Sequence, residues 1–238
     1  MKTLINSIYL ATEGEGIHIG TPQIFVRFQG CAIGCLNCDS KDTWDFSETD
    51  NAFVNTVDEI VEEVSNLGGR GDIKRVSITG GDPLHPKHIP SLKLLVKKLK
   101  SKGYFINLEA AGTRIENEVF DSIDFISFDI KTPSTGVKTN LALVQKMYEQ
   151  FNNKFQIKAV IENSHDFDFV LNTYMDLKNK VENISDNPWC LTPSYNLNEA
   201  FPQERFSQVF DWNMKSGAFF RVIGQQHKWI YGPDRKQI

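Results

Sequence analysis

Residues 24–38 read IFVRFQGCAIGCLNC, which joins a strand-like segment directly to a cluster of cysteines. Ile24–Phe28 is a run of β-branched and aromatic residues, which is typical of a buried strand. Three of the four cysteines in the chain follow it within eight residues, as Cys31, Cys35 and Cys38. We therefore expect a chemically active loop at the carboxyl end of this strand.

Strand-like and helix-like segments alternate along the rest of the chain. Apolar runs that favour strands occur at residues 76–78, 104–108, 125–128, 155–161, 189–191 and 219–223. Amphipathic patterns that favour helices lie between them, at residues 57–67, 90–102, 116–121, 141–151, 167–181 and 204–215. Thr56 and Glu59 predict a capping box ahead of the first helix. This order of elements predicts a parallel sheet with right-handed crossovers and helices outside it.

The number of strand–helix repeats indicates the architecture. About six or seven repeats fit the chain, fewer than the eight of a closed barrel. We therefore expect an α/β fold, an incomplete (β/α)6-type barrel rather than a doubly wound sheet, with a single domain over residues 1–238. In either architecture the functional residues lie on the loops that leave the carboxyl ends of the strands.

Composition and charge narrow the class of protein. The chain of 238 residues is 40% hydrophobic and 24% charged, which is typical of a globular protein and excludes disorder. A net charge of −4 gives no positive field for a phosphate backbone, so no direct nucleic-acid partner is expected. No signal peptide and no apolar run of about 18 residues is visible, so we expect a cytoplasmic protein without a membrane partner.

The clustered cysteines are expected to bind metal, because structural disulfides are rare in a reducing compartment. A closed zinc site requires four ligands, and the fourth would have to be His18 or Cys190, both distant in sequence. An iron–sulfur cube held by three thiolates would instead keep one iron with an open coordination position. From the residues alone, both centres fit.

The spacing Cys-x3-Cys-x2-Cys resembles the signature of the radical S-adenosylmethionine superfamily. The resemblance implies a 4Fe-4S cluster whose open iron binds the methionine moiety of S-adenosylmethionine. Thr79-Gly80-Gly81-Asp82-Pro83 resembles the Gly-Gly-Glu-Pro motif of the superfamily, with Asp82 in place of Glu. Asn37 stands where the superfamily usually has an aromatic residue that contacts adenine.

Further segments resemble the 7-carboxy-7-deazaguanine synthase family, which acts in queuosine and deazapurine biosynthesis. These segments are residues 12–16, 25–31, 38–44, 108–113 and 129–133. The resemblance implies a lyase that converts 6-carboxy-5,6,7,8-tetrahydropterin to 7-carboxy-7-deazaguanine by radical ring contraction with loss of ammonia. It also implies a homodimer, a magnesium ion, and an electron donor such as flavodoxin or ferredoxin.

The same resemblance implies roles for individual residues. The residues implied to bind the substrate are Thr12, Glu13, Gly14, Glu15, Gly16, Arg27 and Thr79. The residues implied to line the S-adenosylmethionine site are Asn37, Asp39, Gly80, Gly81, Asp82, Asp129, Ile130, Lys131, Thr192 and Pro193. The metal ligands implied for the cluster are Cys31, Cys35 and Cys38. Ser40, two residues after Cys38, is the implied ligand for magnesium.

Elementary chemistry supports several of these roles. The guanidinium of Arg27 can bind a carboxylate through two parallel hydrogen bonds, and the carboxylates of Glu13 and Glu15 can accept N–H bonds from a pterin edge. The polar segment 232–238 is typical of a frayed tail, although the resemblance places the C-terminus near the substrate.

Two alternative functions fit parts of the sequence. A radical activase that installs a glycyl radical in a partner protein would share the cysteine spacing and the short chain. A zinc- or cluster-bearing binding protein would need the cysteines but not S-adenosylmethionine. The activase alternative would need a protein-docking groove and does not predict Gly14, Glu15 and Gly16 together with Arg27.

Overall fold

The computed structural model describes residues 1–47 and 52–237, which form one nine-stranded sheet flanked by helices. The strands are β1 (Lys2–Thr12), β2 (Pro22–Phe28), β3 (Phe53–Thr56), β4 (Arg75–Gly80), β5 (Phe105–Ala110), β6 (Phe125–Asp129), β7 (Phe155–Ile161), β8 (Trp189–Pro193) and β9 (Arg221–Val222). The helices are α1 (Val57–Leu67), α2 (Ile89–Ser101), α3 (Asn117–Ser122), α4 (Leu141–Phe151), α5 (Ser164–Lys178), α6 (Gln203–Ser216) and α7 (Gln226–Tyr231). Short 3₁₀ turns occur at Gly16–His18, Lys41–Thr43, Pro133–Thr135 and Ile184–Asp186.

The strand order is β3-β1-β2-β4-β5-β6-β7-β8-β9. From β2 to β9 every neighbouring pair is parallel, and one of the helices α1 to α6 lies between successive parallel strands in the chain. Among the described residues β3 and β9 are the two edges of the sheet and do not pair, so the barrel stays open. The predicted incomplete α/β barrel is confirmed.

Local sequence explains where the helices begin. The capping box is confirmed, since Thr56 Oγ1 accepts a hydrogen bond from Glu59 N at 3.2 Å and Glu59 Oε2 accepts one from Thr56 N at 2.7 Å. Pro90 lies in the first turn of α2, where its missing N–H removes no helical bond. The apolar faces of α1 and α2 are buried on the sheet through Ile60, Val64, Leu92, Leu95 and Leu99.

Three strands or helices were not predicted, and the bounds of several predicted elements differ, with α5 and β9 as examples. Strand β1 runs antiparallel to β2 and β3, and a bulge between Ile5 and Ser7 interrupts the period-2 pattern that would reveal it. Strand β3 is short, and α7 has six residues, too few for a clear helical period. Helix α5 begins at Ser164 rather than 167 because the side chain of Asn163 caps it by accepting from Asp166 N. Strand β9 is shorter than the predicted 219–223.

The parallel strands carry a polar layer on their inner face. Asn107 Nδ2 donates to Ser77 Oγ at 2.9 Å, and Gln156 Nε2 donates to Ser127 Oγ at 2.8 Å. Ser127 Oγ donates to Asn107 Oδ1 at 3.4 Å, which joins the two pairs. Because side chains alternate along a strand, the residue two positions later on each strand points to the same inner face. We call the buried hydrogen-bonded layer formed by Ser77, Asn107, Ser127 and Gln156 the floor.

No helix among the described residues is long and apolar enough to cross a membrane.

Candidate active site at the carboxyl ends of the strands

A cavity of about 730 Å³ opens above the floor, at the carboxyl ends of the strands. This volume is typical of small-molecule sites. On strands β4 to β8, the residues two positions after the level of the floor point polar side chains into the cavity. Strand β2 adds a cation level with them, because Arg27 pairs with Thr79 of β4. These residues are Arg27, Thr79, Glu109, Asp129, Lys158 and Thr192. Every one of them carries a charge or a hydroxyl group, so the cavity suits a polar ligand.

Residues 13–20, which we call the inner loop, connect β1 to β2 beside the floor. Ile17 N donates to Gln156 Oε1 of the floor at 2.9 Å, and Gly20 N donates to Glu13 O at 2.7 Å. Gly16 has a φ of +64°, and a Cβ there would collide with the Gln156 side chain. Glycine is therefore required where the inner loop meets the floor.

The guanidinium of Arg27 borders the cavity without a carboxylate partner. Its Nη2 donates to Tyr9 Oη at 3.1 Å, and the Tyr9 ring stacks on Phe25 at 5.1 Å between centroids. Among the described residues, Arg27 forms no ion pair within 4.0 Å. Burial opposes its charge, but Tyr9 and the carboxylate of Asp39 raise the pKa of Arg27 above its ordinary value. The site thus offers a fixed cation to an anionic ligand.

A group of carboxylates lies elsewhere on the cavity wall, around Lys158. Lys158 Nζ is 2.7 Å from Glu109 Oε2 and 3.1 Å from Glu15 Oε2. Although burial disfavours the ionised form, Lys158 lowers the pKa of Glu15 to about 2. Burial disfavours the charge of Lys158 as well, but Glu109 and Glu15 raise its pKa well above the ordinary value. Glu15 and Lys158 are therefore both ionised at neutral pH.

Glu13 differs from Glu15 in its hydrogen bonds. Its Oε1 accepts from Gly14 N at 3.0 Å, and its Oε2 accepts from Gln23 Nε2 at 2.7 Å. Burial, followed by the charge of Glu109, raises the pKa of Glu13 to about 7. Both oxygens of Glu13 accept from neutral N–H donors, whereas Glu15 pairs with Lys158, so Glu15 is the better ionised acceptor for a ligand at neutral pH.

The three clustered cysteines lie on the loop after β2, half-buried and free. Cys31 Sγ accepts from Ile33 N and Cys38 Sγ accepts from Ser40 N, both at 3.4 Å. Burial raises the pKa of the Cys31 and Cys35 thiols. Backbone N–H groups directed at sulfur are a feature of iron–sulfur ligation.

The arrangement of these thiols fits a cluster. Within residues 1–47 and 52–237, no three His, Cys, Asp or Glu side chains surround a point where a single metal ion could sit. In a cube each thiolate binds a different iron, so its ligands stand apart. Cys31, Cys35 and Cys38 all line the cavity, so a 4Fe-4S cluster bound by their thiolates would face a ligand within it.

The loop after β4 packs against the cysteine loop through Gly81. A Cβ at this position would lie 2.5 Å from Gly30 O and 2.7 Å from Thr43 O. Asp82 N donates to Gly30 O at 3.0 Å, which fixes the same contact. The carboxylate of Asp82 accepts from Leu84 N and does not line the cavity. The backbone, rather than the side chain, of this motif borders the site.

Several buried polar atoms of residues that line the cavity have no partner among the described residues. They include Asn37 Nδ2, Thr192 Oγ1 and Ser194 Oγ, and all three residues line the cavity. Lys131, whose charge acts on the Cys35 thiol, also lines the cavity, and its Nζ is 2.7 Å from Asp129 Oδ2. Unpaired buried donors and acceptors of this kind fit a ligand with amino, carboxylate and hydroxyl groups, as S-adenosylmethionine has.

Ser40, which follows the cysteine loop, lies beside the ionised carboxylate of Asp39. Ser40 Oγ donates to Asp39 Oδ1 at 3.0 Å, and Lys228 Nζ is 3.0 Å from Asp39 Oδ2. Burial opposes ionisation of Asp39, but Lys228 lowers the pKa of its carboxyl well below the ordinary value. Oxygen ligands of this type fit magnesium.

Most predicted site residues line this cavity, and a few do not. Gly16, Asp82 and Pro193 lie outside the lining. The lining also contains residues that the sequence did not single out, among them Tyr9, Glu109, Lys158, Gln225, His227 and Lys228. The available signal for Lys158 was a charged residue within a mostly apolar strand, as in the sequence FQIKAVI of β7.

The C-terminal elements join the two sides of the site. Gln226 N donates to Gly14 O at 2.9 Å, and a Cβ on Gly14 would collide with the His227 ring. Beyond α7, Asn198 N donates to Asp234 Oδ1 at 3.0 Å, and residues 233 and 235–237 line the cavity. The expectation of a frayed tail is wrong for these residues, because such contacts hold them; Ile238 lies outside the described chain.

Comparison with known proteins defines the class. Residues 25–192 match the sequence model of the radical SAM superfamily. Together with the open parallel barrel and its cysteine loop, this match defines a radical S-adenosylmethionine enzyme. The chain is 30% identical over 234 residues to 7-carboxy-7-deazaguanine synthase of Bacillus cereus, covering 94% of this chain and 93% of the relative. It therefore belongs to the 7-carboxy-7-deazaguanine synthase family, rather than to the activases or zinc-bearing binding proteins.

Further relatives agree with this assignment. The 7-carboxy-7-deazaguanine synthase of Koribacter versatilis is 27% identical over 242 residues, which is 98% of this chain and 99% of the relative. The crystal structure of QueE from Escherichia coli has a TM-score of 0.70 at 21% identity and covers 95% of both chains. Streptococcus suis SuiB bound to precursor peptide SuiA has a TM-score of 0.56 at 12% identity, covering 82% of this chain and 46% of SuiB. The two structures show the fold alone.

Proposed function

We propose that this enzyme converts 6-carboxy-5,6,7,8-tetrahydropterin to 7-carboxy-7-deazaguanine and ammonia. The observation that carries the proposal is the separation of charge in the cavity. Arg27 on β2 supplies a cation without a carboxylate partner among the described residues, while Glu15 and Glu109 supply hydrogen-bond acceptors beside Lys158 of β7. A flat heterocycle with a carboxylate at one end and N–H donors at the other matches this distribution.

The chain's own residues bind and orient such a substrate. The guanidinium of Arg27, held by Tyr9, binds the substrate carboxylate, and Glu15 and Glu109 accept from the amino-pyrimidinone edge. The floor and the inner loop lie beneath the ring and limit the access of water from that side. Orientation of this kind is the protein's main contribution to radical chemistry.

Cofactors bind next to this position. Cys31, Cys35 and Cys38 hold the cluster, and the unpaired polar groups nearby hold S-adenosylmethionine. When bound and reduced, the pair supplies the radical that begins the ring contraction. We propose that Ser40, beside Asp39, would hold a magnesium ion through its hydroxyl oxygen, and the ion would supply positive charge for the substrate carboxylate.

Other parts of the proposal rest on family membership. They are a flavodoxin or ferredoxin as reductant, a homodimer and a cytoplasmic location. A single domain over residues 1–238 is supported by the continuous sheet of the described residues.

An anaerobic assay tests the reaction. Cluster-loaded protein is incubated with S-adenosylmethionine, dithionite and the carboxytetrahydropterin, and the products are analysed by mass spectrometry. We expect 7-carboxy-7-deazaguanine and one equivalent of ammonia, and neither with a Cys35→Ala control. Cleavage of S-adenosylmethionine without either product would show a radical enzyme with another substrate.

A further inference from the structure

Lys158 is a buried cation that the sequence did not mark as functional. It is the charged residue of β7, and its side chain is 13% exposed on the inner face of the barrel. Its ammonium group lies 2.7 Å from Glu109 Oε2 and 3.1 Å from Glu15 Oε2. It therefore joins strand β5 to the inner loop, two elements that approach the cavity from different directions.

The second oxygen of each carboxylate is also held. Glu109 Oε1 accepts from Asn107 Nδ2 of the floor at 2.8 Å. Glu15 Oε1 accepts from Gln225 Nε2, directly before α7, at 2.7 Å. Each carboxylate thus has one oxygen on Lys158 and the other on a side-chain amide. Since a carboxylate has about four acceptor positions, both keep free capacity toward the cavity that they line.

Removal of Lys158 would leave two carboxylates close together without a cation. Several other cations of the cavity wall have different partners: Arg27 bonds to Tyr9, and Lys131, Lys228 and Lys236 pair with Asp129, Asp39 and Asp42. Two unpaired buried carboxylates repel one another, and one of them would rotate away or bind a proton. The relative placement of Glu15 and Glu109 therefore depends on Lys158.

We propose that Lys158 is a positioning residue that fixes Glu15 and Glu109 as a pair of acceptors, and thereby sets selectivity for a ring with an exocyclic amino group next to a ring N–H. The inference rests on the proposed function. The amino-pyrimidinone edge of a pterin carries such adjacent donors. An analogue in which the 2-amino group is replaced by oxygen lacks one of them and should leave an acceptor unpaired.

The test compares the parent enzyme with Lys158→Met, which keeps the length of the side chain but removes its charge. We expect KM for the carboxytetrahydropterin, and Kd for the stable analogue 6-carboxypterin by calorimetry, to rise about 10- to 100-fold. The value of kcat should fall much less. The preference of the parent for the 2-amino substrate over its 2-oxo analogue should largely disappear. Lys97→Met, on the exposed face of α2, is the matched control.

Two further variants test the inference if Lys158→Met does not fold. In Lys158→Met/Glu109→Gln, the neutral amide removes one of the two carboxylates that the loss of Lys158 leaves unpaired. Lys158→Arg restores the cation and should therefore restore most of the preference for the 2-amino substrate. Equal losses for both substrates would indicate a merely structural role and overturn the inference. An unchanged KM and unchanged preference in the Lys158 variants, with normal turnover by the parent, would also overturn it and leave the proposed function intact. A parent that makes no product would overturn both.

Discussion

At the scale of single residues, the account depends on charges that lack an internal partner. A guanidinium on a cavity wall is costly unless something compensates its charge, and among the described residues Arg27 has a hydrogen bond to the Tyr9 hydroxyl and the longer-range charge of Asp39, but no ion pair. Glu13 is the opposite case, a buried carboxyl whose oxygens are both paired but whose neighbours are acidic. The charge of Arg27 favours binding of an anionic ligand, and the raised pKa of Glu13 makes the free energy of unfolding depend on pH.

Arg27→Ala should abolish formation of the deazaguanine product, because the substrate carboxylate loses its bidentate partner. We expect kcat/KM to fall at least about 100-fold, while slow cleavage of S-adenosylmethionine without substrate continues. Tyr9→Phe should cost about 10-fold, since it removes one hydrogen bond that orients the guanidinium. Product formation at the parental rate by Arg27→Ala would remove this residue from the substrate site.

Glu13→Gln should alter the pH dependence of stability. The pKa of Glu13 rises from 4.5 to about 7 on folding, so the folded chain binds this proton more tightly than the unfolded chain does. The resulting stabilisation is complete below pH 4.5 and is lost as pH rises through 7. The variant cannot titrate there, so its unfolding free energy relative to the parent should increase by about 3 kcal/mol over this range.

Urea unfolding of both proteins at a series of pH values measures that difference. Glu63→Gln, at an exposed position of α1, serves as the control. A difference between parent and Glu13→Gln that stays constant from pH 4 to pH 8 would contradict the assignment of the raised pKa to Glu13.

At the scale of elements, close backbone contacts decide how the loops meet. The loop after β4 touches the cysteine loop where Gly81 leaves no room for a Cβ. Gly103, after α2, has a φ of +77° but open space around the Cβ position. Alanine substitutions at Gly81 and Gly103 therefore distinguish the effect of crowding around the Cβ from the effect of a positive φ.

Gly81→Ala should displace the cysteine loop, because both obstructing atoms are backbone carbonyl oxygens that cannot rotate away. We expect affinity for S-adenosylmethionine to fall at least about 10-fold, or cluster content to fall with it. Gly103→Ala should lower the unfolding free energy by about 1 kcal/mol and retain normal binding. Iron analysis and equilibrium binding measure both, and full binding by Gly81→Ala would refute the packing argument.

The sequence predicts those elements whose patterns are local. The parallel strands and the helices between them follow from apolar runs, a capping box and turn residues, and the cysteine loop follows from its spacing. Strand β1 is hidden by its bulge, and α7 by its length. Tyr9 and Lys158 enter the site only through strand pairing, antiparallel for β1 and parallel for β7, so no local pattern could assign their partners.

At the scale of the whole molecule, an open barrel leaves one end for chemistry and closes the other. The floor and the inner loop lie below the cavity, while α7 and residues 233–237 connect the inner loop to the residues after the cysteines. Lys236 Nζ, for example, is 3.2 Å from Asp42 Oδ1. Distant parts of the chain thus enclose one site, and everything proposed for it requires a cluster on the cysteine loop.

The most direct measurement is metal analysis and electron paramagnetic resonance of protein reconstituted without oxygen. The account predicts about four iron atoms per chain, a paramagnetic signal after reduction with dithionite, and a change in that signal when S-adenosylmethionine is added. Stoichiometric zinc in a colourless sample, or a reduced signal that S-adenosylmethionine leaves unchanged, would contradict it.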